Sequence, residues 1–179
     1  MNYLRAYIPN SMVFLTIVTA NRRNILVKNI SILKTALKKS IENYNYKIYA
    51  ICILPDHIHM IIKPYQIKDY PMIIKQFKTY FSKRINTETL ENYNLSSSNK
   101  SKKERDIWQR RYWEHTIKDI NDLNKHTDYI HYNPLKHNLV KLPKDWEYSS
   151  FKKFVKLGFY DNNWCNYKDK NNIINLNFE

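Results

Sequence analysis

The apolar positions of this chain change period several times, and each change predicts an element. Between Ser11 and Thr19 the run SMVFLTIVT is apolar and rich in β-branched residues, and it stops at the basic turn ANRRN, the signature of a buried strand. From Ile30 to Tyr44 the period lengthens: Ile30, Leu33, Leu37 and Ile41 recur at helical spacing and lay one apolar stripe along an amphipathic helix. YKIYAICIL, starting at Tyr46, predicts a second strand. Pro55 and Asp56 make a tight turn, and HIHMIIK, from His57, predicts a third strand running back along the second. In KDYPMIIKQFKTYFSKRI, Met72, Ile73, Phe77, Phe81 and Ile85 share one side of a second helix, with Pro71 tolerated in its first turn because the amide there has no helical partner.

The pattern then fades. Residues Glu88 to Asp106 hold few large apolar side chains, a serine triplet and a lysine cluster, which predicts a mobile loop within one domain. RRYWEHTIK, from Arg110, follows as a last strand, and DINDLNKHTDYIHYNP, from Asp119, as a third helix whose apolar stripe is Ile120, Leu123, Thr127 and Ile130. Pro134 is expected to end that helix at Asn133, since proline disfavours helical geometry in the residue before it. After Val140, KDWEYSSFKKFVKLGFY reads as an amphipathic stretch packed on the domain edge. The order β-α-β-β-α-β-α predicts an α+β, ferredoxin-like split βαβ fold: an antiparallel sheet with helices packed on it and an added C-terminal helix, all in one domain over residues 1–160, with 161–179 as a tail.

Charge narrows the function. Thirty Lys and Arg against 16 Asp and Glu give a net charge of +14, on a chain with 15 tyrosines. Basic groups release counterions from phosphates and aromatic rings stack on unpaired bases, so a nucleic acid is the favoured partner. An AT-rich coding sequence would raise Lys, Asn, Ile and Tyr as well, without any such purpose. Hydrophobic residues at 43% and charged residues at 26% are globular values, which excludes a disordered tail. The first apolar run is too short to span a bilayer and has no charged leader, so no membrane association is expected. Two distant cysteines, Cys52 and Cys165, supply neither a disulfide framework nor a thiolate zinc site and fit a reducing cytoplasm.

Two constellations carry candidate chemistry. On a strand, alternate side chains share a face, so His57 and His59 project together while Ile58, Met60 and Ile62 project oppositely. Two imidazoles so placed are half of a metal site, although a lone His-X-His is also compatible with one histidine satisfying a buried backbone group and the other being solvated. On the third helix, Tyr129 and Asn133 lie one turn apart, away from the apolar stripe, on a face shared with His126 and more loosely Lys125. Tyr129 and Tyr132 are both candidate nucleophiles on this reading.

LPDHIHMII followed by WQRRYWEHTIKDINDLNKHTDYIHYNPLKHNLV, with FLTIVTANRRNIL at the start, resembles the REP-associated tyrosine transposases and related single-tyrosine transposases, which belong to the HUH endonucleases. The resemblance implies that His57 and His59 bind a divalent ion, Mg²⁺ or Mn²⁺, with Asn133 completing the site, and that Tyr129 is the nucleophile. It implies a metal-dependent single-stranded DNA endonuclease and strand transferase acting at hairpins or repeats, through a 5′-phosphotyrosine and a free 3′-hydroxyl. Arg22, Arg23, Lys75, Trp108, Arg110, Arg111, Lys125 and His126 are then expected to contact DNA. A monomer or homodimer at the bacterial nucleoid is implied. The alternative is a non-catalytic regulator that binds DNA hairpins on the same fold; a phosphodiesterase with paired His-X-Ser/Thr motifs is excluded because no such pair is present. Asn138 stands where the family commonly has glycine, and asparagine best tolerates the left-handed turn expected there.

Overall fold

The computed structural model describes residues 7–86 and 105–165. Along the chain follow β1 (Val13–Val18), α1 (Ile30–Tyr44), β2 (Tyr46–Ile53), β3 (His57–Pro64), α2 (Tyr70–Arg84), β4 (Trp113–Thr116), α3 (Ile120–Lys136) and α4 (Phe151–Lys156). The strands form one antiparallel sheet in the order β2-β3-β1-β4, the split βαβ arrangement with β3 between β2 and β1. The predicted loop over 88–106 falls almost wholly outside the described residues, as does the tail beyond residue 165.

The sheet has two unlike faces. On one, Val13, Leu15, Ile17, Ile58, Met60 and Ile62 pack against Leu33 and Leu37 of α1 and Ile73, Phe77 and Phe81 of α2. On the other, Phe14, Ala50, Cys52 and Ile61 meet Leu123, Tyr129 and Ile130 of α3 and Phe154 of α4. The strand alternation in the sequence is thus realised as two separate cores. Ile120 and Met72, both expected on packing stripes, are 65% and 46% exposed; Ile120 is the first residue of its helix and lies short of the sheet, and Met72 falls beside the stripe of α2.

Three local features set up the site. The Pro55–Asp56 turn closes with Leu54 N–H donating to the His57 carbonyl at 2.8 Å, and Thr19 grips it by donating both its backbone N–H and its hydroxyl to the Asp56 carbonyl. α3 starts at a reciprocal cap: Asp119 accepts from Asp122 N–H at 2.8 Å while Asp122 accepts from Lys118 N–H at 2.9 Å. α3 also outruns the expected stop, with Pro134 inside it and the last turn reaching Lys136. Burial of Pro134 and Leu135 outweighs the local penalty, and His137 N–H closes onto the Asn133 carbonyl at 3.0 Å. Asn138 is left-handed at φ 56°, the conformation expected of it. The segment after α3 lies along the outer edge of β2, with Trp146 Nε1–H donating to the Ile53 carbonyl at 3.0 Å and Ser150 N–H to the Ile51 carbonyl at 2.8 Å, which covers that edge.

A candidate metal and tyrosine centre under the third helix

β3 and α3 bring together the four residues singled out for chemistry. The His57 and His59 rings are 4.8 Å apart, and His59 is 5.1 Å from the Tyr129 ring. Asn133, one turn beyond Tyr129, donates through Nδ2 to the Tyr129 carbonyl at 2.9 Å. All four side chains are buried. The face carrying Tyr129 is therefore turned onto the sheet and not away from the core, a correction to the helix-wheel reading: Phe14 supplies apolar surface beneath it, 6.2 Å from the phenol ring. Asn133 likewise sits inside the helix and not at a free terminus, because α3 continues through Pro134.

Neighbours orient the imidazoles. Asp56 takes His57 Nδ1 at 2.6 Å and Thr16 Oγ1 bonds His59 Nδ1 at 2.9 Å, which makes Nε2 the candidate donor atom on each ring. Burial disfavours the Asp56 carboxylate, yet its hydrogen bond to His57 and the charges of His57 and Arg22 hold its pKa below the ordinary value. Burial, reinforced by the charges of His57, His137, Lys136 and Arg22, holds His59 well below the usual imidazole range, so it is neutral, the form that binds metal. Asn133 Oδ1 is buried with no hydrogen-bond partner among the described residues. Two imidazole nitrogens and an amide oxygen that has no hydrogen-bond partner among the described residues fit a divalent ion of modest affinity.

Three contributors escaped the sequence reading. Lys136 donates from Nζ to Tyr129 Oη at 3.2 Å and lies 5.0 Å over the same ring. It is two helical turns beyond Tyr129, a same-face spacing that was legible but hidden by the expected stop at Pro134. Thr16 and Asp56 are the others; Thr16 required the β1–β3 register, which pairs it with His59. A further group, His115, Asp122 and His126, brings potential ligand atoms within 4.8 Å of one another and could hold a metal ion.

The expected DNA contacts separate. Arg110, Arg111, Lys75 and Lys125 are exposed. Lys75 and Arg110 line a cleft of about 690 Å³ between α2 and the strand-leading segment, together with Lys78, Lys83 and Arg105. Arg22 is half exposed and pairs with Asp56 at 3.4 Å. Arg23, Trp108 and His126 are instead occupied by the fold: Arg23 binds the Asp106 carboxylate and carbonyl, the Trp108 indole is wedged between Phe77 and Phe81 with its N–H on the Lys78 carbonyl, and His126 is buried against Phe14. Surface charge alone could not separate these cases, because an ion pair and an indole pocket depend on distant chain segments.

Residues 8–133 match the family described as Transposase IS200 like. A REP-associated tyrosine transposase assigned in Haemophilus influenzae is 39% identical over 165 residues, covering 91% of this chain and 92% of that protein. The REP-associated tyrosine transposase of Escherichia coli K12 is 31% identical over 165 residues, covering 91% and 90%. The solved structure of a REP-associated tyrosine transposase bound to a REP hairpin superposes with a TM-score of 0.75 at 28% identity, covering 93% of this chain and 92% of that one. No helix among the described residues is long and apolar enough to cross a membrane.

Proposed function

Because the chain belongs to the IS200-like transposase family, and so has a transposase-like, DNA-binding function, we propose that it is a metal-dependent single-stranded DNA endonuclease and strand transferase acting beside DNA hairpins. It works on repeats at the nucleoid of a bacterial cytoplasm. The observation that carries this reading is the meeting of His57, His59, Tyr129 and Asn133 on one face of the sheet, with the Asn133 amide oxygen buried and without a hydrogen-bond partner among the described residues.

In the reaction, Tyr129 Oη forms a bond to a backbone phosphorus and the bond from that phosphorus to the 3′-oxygen breaks. The phenol proton is released and the departing oxygen takes up a proton, leaving a 3′-hydroxyl and a 5′-phosphotyrosine; reversal by another 3′-hydroxyl rejoins the strand. His57, His59 and Asn133 would hold the Mg²⁺ or Mn²⁺, which supplies Lewis-acid polarisation of the phosphate. Asp56 and Thr16 hold the two rings in register. Lys136 offers the positive charge that favours the attacking oxygen as phenolate, since a phenol alone has a pKa near 10.

The complete burial of Tyr129 favours a second reading, a hairpin-binding regulator that does not cut. One experiment separates them. Protein incubated with labelled hairpin DNA bearing an unpaired flank and Mn²⁺ forms a covalent adduct on a denaturing gel; Tyr129→Phe and EDTA each abolish it. Tight binding with no adduct in the wild type establishes the regulator.

A further inference from the structure

Between the candidate centre and the edge of the sheet lies a row of rings that the reaction above does not use. Phe14, 5.8 Å from the His59 ring, touches His126 at 4.7 Å; His126 stacks on His115 at 4.6 Å and 13°, and His115 on Trp113 at 5.9 Å and 14°. Phe14 also meets the Trp113 indole edge-on at 5.5 Å. The row begins in the buried centre and ends at Trp113, a residue 39% exposed on β4, the edge strand.

The row is braced. His115 Nε2 is 2.7 Å from Asp122 Oδ2 and His126 Nδ1 is 3.0 Å from Asp122 Oδ1, while the same carboxylate is locked into the first turn of α3 by Lys118 N–H. The nearly parallel rings also decide what the His115, Asp122 and His126 group does as it stands. Imidazole lone pairs lie in the ring plane, so stacked rings aim them side by side and not at a common point, and a metal would require one ring to turn. The carboxylate instead fixes two imidazoles as backing for the indole.

Register then locates the indole. Trp113 pairs with Thr16, and Thr16 pairs with His59, so Trp113 and His59 lie on one line across three strands, about 10 Å apart at two strand spacings. That separation is within reach of the base nearest a phosphate held at the candidate centre, or the next one along.

We propose that the exposed Trp113 indole, backed by His115, His126 and Phe14, is a binding platform for one unpaired nucleobase of the strand whose phosphate enters the centre. A flat, rigid, amphipathic ring at the mouth of a phosphate-handling site suits a π-face and has no charge to offer a phosphate. The platform rests on the function proposed above, and it fixes the register of the strand, so that one phosphate and not its neighbours meets Tyr129.

The test uses the full chain in the Tyr129→Phe background and a DNA hairpin with a short unpaired flank, in which one flank base at a time is replaced by 2-aminopurine or by an abasic residue. One position is expected to be quenched on binding. Trp113→Ala removes that quench and weakens affinity about 10- to 100-fold, while Trp113→Tyr retains most of both. Against the strand that is abasic at that position, Trp113→Ala loses nothing further. A Trp113→Ala loss that is equally large on the abasic strand makes the residue structural and overturns the platform, as does wild-type quenching that survives in Trp113→Ala. A quench that depends on added Mn²⁺ and vanishes in His115→Gln with Trp113 intact overturns it in favour of a metal group. The adduct assay with wild-type protein reads the function separately: adduct with no Trp113-dependent base contact sinks the platform alone.

Discussion

β3 presents the same strand to two environments. Ile58, Met60 and Ile62 point to the α1 and α2 side and His57, His59 and Ile61 to the α3 side, and all six are buried. Burial therefore does not distinguish the faces; the kind of partner does. On the α1 and α2 side shape suffices, because apolar contacts are non-directional. On the α3 side each buried polar group is held by a named atom: His57 by Asp56, His59 by Thr16, the Asn133 amide by the Tyr129 carbonyl. Burying polar groups costs stability unless they are bonded, and Asn133 Oδ1 has no bond among the described residues. Both faces carry an apolar core, but only the α3 side sets polar groups of the proposed centre within it.

The sharpest way to break this contrast is Tyr129→Phe, which removes one oxygen from the α3 face. It is expected to abolish adduct formation completely while leaving hairpin affinity within a few-fold, read by gel and by fluorescence anisotropy. Residual adduct would move the nucleophile to Tyr132, which packs with Leu135 and Cys165.

The next step exchanges faces along the strand. His59→Ala is expected to lose Mn²⁺ binding by calorimetry and with it the adduct, by at least about 10²-fold, since even groups that only orient metal ligands are worth 10- to 100-fold. Met60→Ala, the next residue, is expected to cost roughly 2–5 kcal/mol of stability in denaturant titrations with metal binding and adduct retained in the folded protein. Were both variants to lose stability and chemistry alike, the two faces would be a single unit.

These pairs also mark what the sequence made legible. The alternation in HIHMIIK announced both faces, and the helical periods placed α1 and α2 nearly to the residue, because short-range sterics and burial agree there. What depended on distant segments was not legible. Trp108 is a core residue because Phe77 and Phe81 of α2 form its pocket, and Arg23 is spent on Asp106, 83 residues away. The continuation of α3 through Pro134 reversed a sound local rule, and with it the setting of Asn133 and the presence of Lys136 in the site.

Lys136 gives an intermediate effect. Lys136→Gln keeps a polar group near Tyr129 Oη but removes the charge, and by analogy with the loss of one preorganised donor it is expected to slow adduct formation about 10²-fold, with Lys136→Arg recovering much of the loss. Single-turnover rates at saturating DNA separate this from a binding defect. An unchanged rate would leave the contact as packing over the phenol ring.

The smallest effects belong to the exposed rim, which neither face requires. Arg110 and Arg111 are exposed, and Arg110 lines the cleft beside α2 with Lys75. If each neutralises one phosphate of an unpaired strand, replacing either by Ala lowers the slope of log affinity against log salt by about 0.7. Stability is unaffected, because neither side chain is buried. The two substitutions should add, since contacts to separate phosphates release separate counterions. A slope that does not change would assign the strand to another path over the surface.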